Sequence, residues 1–536
     1  MKVKNAVREK VIYTTAVEIL LVGCLTGICA GVFVSLYNIL ASLGEEFSRG
    51  VYAVLREKPA YIPLLFVVLF VCAVIIGTVV KAIPMIRGSG IPQTEGASRG
   101  VLRFKWYQVL CGMFAASLVT IFLGLSAGSE GPSLEIGGAC GNGVATLTRR
   151  NPMLRRYQIT GGASAGLAIA FNAPLTGMAF AFEEAQKRFS AEVFICAFSS
   201  VVSGLATRNL IRSALGLPVG STFTTFAFPA TMNMASYGYV ILAALVCAAL
   251  GVAFYYIMFA TKKLFAKITF WKGTGKMLIP FLLGGAFSLL SVYAMGGGHE
   301  FIQSLGSLNE EPFEYVFRLG LAGSLIVIVL MKFIASVLNM SAGVPCGVFI
   351  PMLAIGAGIG AIMSRVCISW GMDAAYADLL IMICMATFFA TIVKAPLTAI
   401  VMVFELTWNF SSLIPVTLGV AVGYMVGTLL KTEPIYEKLL ESNVEDYRKD
   451  HPVRQEKFFL TVGHGSLVDG AALREISWPG NVNVVSVLHG ETEYFTTGAT
   501  VLYGGDRVKI ETLTDDKEES LKDIEALLKP GKTKKA

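Results

Sequence analysis

Residues 128–141 read GSEGPSLEIGGACG, and residues 347–360 read GVFIPMLAIGAGIG. At an offset of 219, six of the fourteen positions are identical, among them Gly128 with Gly347, Pro132 with Pro351 and Gly141 with Gly360. A second pair, APLTGMAFAFE at 173–183 and APLTAIVMVFE at 395–405, matches at six of eleven positions with an offset of 222. Two matches at nearly one offset mean an internal duplication with a period of about half the chain. In an apolar chain, Gly/Pro-interrupted segments at corresponding places in two halves are the pattern of a repeat-built membrane transporter, and they mark its binding site.

Composition agrees. The 536 residues are 54% hydrophobic and 15% charged, with a mean hydropathy of +0.65. A soluble domain carries roughly a quarter charged residues. Apolar runs long enough to span a bilayer recur at 11–41, 61–83, 107–127, 235–262, 276–295, 317–340 and 411–430. The chain reads as a polytopic α-helical membrane protein of two inverted repeats, about 11–215 and 235–440, inside a membrane domain ending near 445. The net charge is +7. MKVKNAVREK places the N-terminus on the cytoplasmic side and is no signal peptide, because the apolar run behind it is too long. All ten cysteines precede residue 450 with no CxxC pair, and His299, His451, His464 and His489 form no ligand spacing. No cofactor, metal or nucleic acid is expected.

FNAPL at 171–175 and KAPL at 394–397 interrupt apolar segments. Proline suits the first turn of a helix, so each reads as a helix start within the membrane slab, the alternative being a kink in a continuous helix. After a linker at 446–454 comes a small α/β module, 455–530. Its strands are expected at KFFLTV, VNVVSV, EYFTT and DRVKIE, with a short helix over LVDGAALREI. DDKEESLKDIEALL reads as a closing helix with Leu521, Ile524, Leu527 and Leu528 on one face. Residues 531–536 read as a disordered basic tail.

Four segments carry the chemistry: GSGIPQTEG at 88–96, GSEGP at 128–132, GVFIP at 347–351 and Tyr436 in EPIYEKLL. Glycine before a helix start turns backbone N–H groups outward at the positive end of the helix dipole. The path residues are Gly88, Gly90, Ile91, Pro92, Gly128, Gly131, Pro132, Gly347 and Pro351. Three such starts aimed at one point make an anion site without a full positive charge, which suits turnover. Ser89 and Tyr436 add neutral hydroxyl donors, and the amides of Val348 and Phe349 complete the shell. Intramembrane carboxylates are expensive and usually functional. Glu130 stands at a helix start. Glu184 is followed by Gln186, Lys187 and Arg188, which leaves open a helix end at the cytoplasmic surface.

These four segments, in this order and with FNAPL…FEE, resemble the CLC family of chloride channels and chloride/proton antiporters over roughly residues 10–445. The resemblance implies a homodimer in the cell membrane with an anion path in each subunit and cytoplasmic termini. It implies that Ser89 and Tyr436 contact chloride through hydroxyls and Val348 and Phe349 through amides. It also implies that Glu130 is the gating glutamate and Glu184 the internal proton-transfer glutamate. Serine at position 89 goes with chloride in the family. Two residues depart from the pattern: Ser129 stands where a basic residue is common, and Gln93 where Glu is frequent. The reading is a chloride/proton antiporter, not an enzyme, with a passive voltage- or proton-gated chloride channel as the alternative.

The C-terminal module resembles the TrkA-C type regulatory domain through LVDGAALREISWP, VVSVLHG and GATVLYGGDRVKIE. That resemblance implies a module that pairs across a dimer. Two readings stay open. One is cyclic di-AMP binding with Arg474, Ile476, Asn481, Val482 and His489; the other is a purely structural role.

Overall fold

The computed structural model describes residues 2–148, 152–219, 226, 232–306, 316, 319–409, 412–450, 452–466, 468–476, 478, 481–514 and 516–529. The basic tail expected at 531–536 lies outside the described residues.

Eight helices among the described residues are long and apolar enough to cross a membrane, and shorter apolar helices lie between them. Burial sorts them. The helix Ala377–Val393 has 89% of its apolar window buried, whereas Pro59–Ala82 has 22% and turns Leu64, Val67 and Val71 outward. An apolar residue exposed on so hydrophobic a helix belongs against lipid tails. The opening run at 11–41 is part of one helix, Lys2–Glu57, which carries Glu45 and Arg49 on its last turns. Both interrupting prolines start helices as expected: Pro174 opens Pro174–Phe180, and Pro396 opens Pro396–Thr407.

The duplicated glycines let helix backbones touch. A β-carbon at Gly137 would collide with the Gly162 carbonyl, and one at Gly356, its repeat mate, would lie 2.8 Å from the Cys384 carbonyl. Small residues at such contacts provide the close packing that holds membrane helices together, since lipid is as apolar as the helix surface.

The repeats embrace each other reciprocally. Gly128 N donates to Gly347 O at 2.8 Å and Gly347 N to Gly128 O at 2.7 Å, an antiparallel bridge between repeat mates. The carboxylate of Glu405 accepts from Leu175 N and Thr176 N at 2.7 Å and from Thr176 Oγ1 at 2.6 Å. Glu183 does the same for Leu397 N, Thr398 N and Thr398 Oγ1 at 2.9, 2.7 and 2.7 Å. Each glutamate thus satisfies the orphan amides at the other repeat's proline-started helix. Contact of i with j and of j with i is the mark of a two-fold relation.

The C-terminal module is a four-stranded antiparallel sheet in the order β1-β4-β2-β3: β1 Arg454–Thr461, β2 Asn481–His489, β3 Thr492–Phe495 and β4 Arg507–Thr514. The helix Lys517–Leu528 buries Ile524, Leu527 and Leu528 against it. The helix expected over 467–476 does not form. Gly470 adopts φ +82°, and the amides of Gly470, Leu473 and Arg474 bond to carbonyls of Leu502, Thr500 and Gly498 instead, leaving one 3-10 turn at Leu473–Glu475.

Candidate functional site

Three helices begin at the meeting of the repeats: Ile91–Ser98, Glu130–Leu147 and Phe349–Ser369. Gly90 precedes the first at φ +78°, a left-handed turn that side chains resist. The loops are pinned by Gly88 N to Gly343 O and Cys346 N to Gly88 O, both 3.2 Å. Gly131 has no room for a side chain, because a β-carbon there would lie 2.5 Å from Ser89 O and 3.1 Å from Gly347 Cα. Segments 88–92, 128–132 and 347–351 therefore converge, and each brings helix-start N–H groups to one place. Gln93 locks the first loop by donating to Arg87 O.

Ser89 Oγ and Tyr436 Oη are both buried and make no hydrogen bond to the protein. A buried hydroxyl without a partner costs free energy and asks for a ligand. Two neutral hydroxyl donors beside converging helix starts suit an anion. Val348 and Phe349 are buried at the start of the third helix, with Phe349 packed between Phe171 and Phe389 at 5.2 and 4.3 Å. Tyr436 lies in the first turn of Ile435–Asp450, which packs on Ile91–Ser98 where Leu440 meets Gly96.

Glu130 is 1% exposed at the first position of its helix. Its Oε1 lies 3.2 Å from His299 Nε2 and 3.4 Å from Ser129 Oγ, while Oε2 has no hydrogen-bond partner. Around His299 stand Glu45, which accepts from Gly297 N at 3.5 Å, and fully buried Lys332, whose Nζ reaches Met295 O and Gly296 O at 3.3 and 3.4 Å. Two basic side chains, His299 and Lys332, and the acidic Glu45 thus gather near Glu130 from distant parts of the chain. Sequence reasoning passed over His299; the glycine run in GGGHE at 296–300 followed by two polar residues was the available signal.

Glu184 is 3% exposed, on a π-turn, Ala181–Ala185, that extends the Pro174 helix. Such turns concentrate at functional sites. The helix ends one residue later, beside exposed Lys187, Arg188 and Phe189, yet the Glu184 side chain itself is buried. It lines a cavity of about 470 Å³ with Glu183, Lys187, Lys394 and Thr428. Arg99 organises this end: it donates to the carbonyls of Glu184 at 2.7 Å and Ala185 at 3.0 Å, and pairs with Glu437 at 3.1 Å and buried Glu95 at 3.5 Å. Glu95 and Arg99 were also missed, since nothing in GASRG distinguishes a hub from a loop cation.

In the tail, His489 Nδ1 sits 2.5 Å from Asp506 Oδ1, and Asp506 also accepts from Tyr503 N. Ile476 points into the domain core, with Trp478 and Val482 packed against that core. The expected apolar surface at Ile476 is therefore interior. Arg474 closes a 3-10 turn, and Asn481 opens β2.

Converging broken helices, buried unpartnered hydroxyls and two buried carboxyls define a class: a polytopic membrane protein with two repeats meeting at an intramembrane site. More narrowly, the chain belongs to the voltage gated chloride channel family, whose pattern matches residues 71–428. It is 27% identical over 450 residues to the H(+)/Cl(-) exchange transporter ClcA of Vibrio cholerae, covering 82% of this chain and 92% of that one. The Yersinia pestis protein of the same name is 27% identical over 446 residues, covering 80% and 88%. A slow cyanobacterial Cl−/H+ antiporter shares the fold with a TM-score of 0.70 at 24% identity, over 80% of this chain and 98% of that one. A CLC-type fluoride/proton antiporter does so at 0.62 and 18%, over 78% and 97%.

Proposed function

We propose that the protein is a chloride/proton antiporter, acting as a homodimer in the cell membrane with cytoplasmic termini. One observation carries this reading: buried Tyr436 is within electrostatic reach of two buried carboxyls, Glu130 and Glu184, and Ser89 lies against Gly131 at the start of the Glu130 helix. A chloride-only path needs no second buried carboxyl lining a cavity of about 470 Å³. In this reading Ser89 and Tyr436 donate to chloride through their hydroxyls, and Val348 and Phe349 through their amides. Ionised Glu130 competes with the anion for the same helix starts. Protonated, it loses that attraction and swings clear, so one site alternates between chloride and a proton. Glu184 passes the proton between the site and the cavity it lines. No enzymatic step is assigned.

The tail is read as a cytoplasmic regulatory module of TrkA-C type. Cyclic di-AMP, if it is the ligand, has to be held by Arg474, Asn481 and the His489 face, because Ile476 is in the core and Val482 packs against it.

The test is reconstitution in liposomes with an imposed chloride gradient. The antiporter reading predicts that protons move uphill against their own gradient. Chloride flux with protons staying at equilibrium would make the protein the passive channel of the alternative.

A further inference from the structure

We propose that a phosphoryl group binds in an arginine-lined cavity between the membrane domain and the tail. The cavity is about 100 Å³ and is lined by Arg103, Arg155, Arg156 and Arg448, with Thr514 and Asp523 from the tail. Four guanidinium groups face one carboxylate. Like charges gathered at a half-buried surface repel one another unless an anion neutralises them. Guanidinium forks match the oxygens of phosphate in parallel pairs. That free space is several times the ~10–15 Å³ that one water needs. That admits a single tetrahedral oxyanion, with the rest of any larger molecule left outside.

The cavity links the helices of the candidate site to the tail. Arg155 Nε donates to Asn142 Oδ1 at 2.7 Å, twelve residues along the helix that begins at Glu130. Arg103 lies four residues beyond Arg99, the hub that holds Glu184 and Glu437. From the tail, Asp523 approaches Arg103 at 3.6 Å, and Trp478 O accepts from Arg156 Nη1 at 2.5 Å. An incoming phosphoryl group takes Arg103 from Asp523, so the tail's grip on the membrane domain changes when the anion binds. The group can belong to a soluble phosphate compound or to an anionic lipid headgroup, and the chemistry of recognition is the same.

Two arms separate the sources. In the first, inorganic phosphate and then pyrophosphate are titrated by calorimetry into the full chain in lipid-free neutral detergent. In the second, the thermal midpoint of the full chain is compared in phosphatidylcholine discs with and without phosphatidylglycerol. Saturable binding in the first arm identifies a soluble ligand, and a midpoint raised only by phosphatidylglycerol identifies a lipid. In whichever arm responds, Arg155→Gln should weaken the response at least about fivefold, and Asp523→Asn should strengthen it about two- to fivefold, the size of one partly exposed charge pair. Arg448→Gln, exposed on the last helical turn of Ile435–Asp450, repeats the first test without disturbing packing. The readout is binding, so it stands or falls apart from the antiporter reading. Silence in both arms, or a response that none of the three substitutions changes, overturns the proposal.

Discussion

The two halves of the chain treat equivalent positions in two different ways. Glu183 and Glu405 are repeat mates and do identical work, each holding the start of the other half's proline-led helix. Gly128 and Gly347 likewise exchange the same pair of hydrogen bonds. Other equivalent positions diverge. Glu130 corresponds to Phe349, and Glu184, one residue past Glu183, corresponds to Leu406. Phe349 and Leu406 are buried in the apolar core, where neither can carry a proton. Matched residues build the scaffold, then, and in the antiporter reading the proton is carried by two mismatched ones, Glu130 and Glu184. A two-fold frame gives stability to both halves at once, while a proton route needs direction and so has to break the symmetry.

The comparison breaks most sharply at Glu130. Glu130→Gln should abolish uphill proton movement and leave chloride flux, because a neutral amide neither carries the proton nor contests the helix starts. Residual proton pumping in reconstituted protein would dissolve the division between Phe349 and Glu130. Next come the matched glutamates. Glu405→Gln replaces an acceptor of three short hydrogen bonds with a group that turns an NH2 toward one of the donors. It should lower stability by about 1–3 kcal/mol, the range for bonds to a charged group. The thermal midpoint in detergent should fall while the proton-to-chloride ratio stays put; a changed ratio with an unchanged midpoint would reverse the assignment.

Smaller effects sharpen the anion site. Tyr436→Ala should weaken chloride binding by about tenfold or more, the worth of one hydrogen bond to a charged partner, and calorimetry showing wild-type affinity would remove the hydroxyl from the site. Ser89→Pro should move preference from chloride toward nitrate, and an unchanged ranking in competition would remove Ser89 from selectivity. His299→Gln keeps a hydrogen-bonding side chain beside Glu130 but removes its proton. The pH dependence of transport should change in position while the coupling ratio holds, and an unaltered pH profile would reduce His299 to packing.

Much of this was legible in the sequence because the signals are local. Gly and Pro punctuate backbone, so the broken helices and their starts at Pro174 and Pro396 could be read directly, as could the three converging Gly-rich segments. The Glu183–Thr398 and Glu405–Thr176 clamps could not, since a duplication says which residues are equivalent and not which ones touch. His299 reaches Glu130 across 169 positions, and no spacing rule spans that distance. The misplaced helix at 467–476 has a different cause. Its apolar pattern suits a helix, but Gly470 in a left-handed turn hands the backbone amides to the strand-like segment 498–502, and tertiary pairing outweighs a weak local preference.

The most direct measurement sets two neighbours side by side. Glu183→Gln and Glu184→Gln differ by one position on one turn, and each removes one carboxylate from the same cavity. Chloride and proton fluxes measured together in liposomes should show Glu184→Gln moving chloride without protons, and Glu183→Gln keeping the wild-type ratio at reduced stability. Coupling lost in Glu183→Gln and kept in Glu184→Gln would contradict the account, placing proton transfer on the symmetric residue and scaffolding on the asymmetric one.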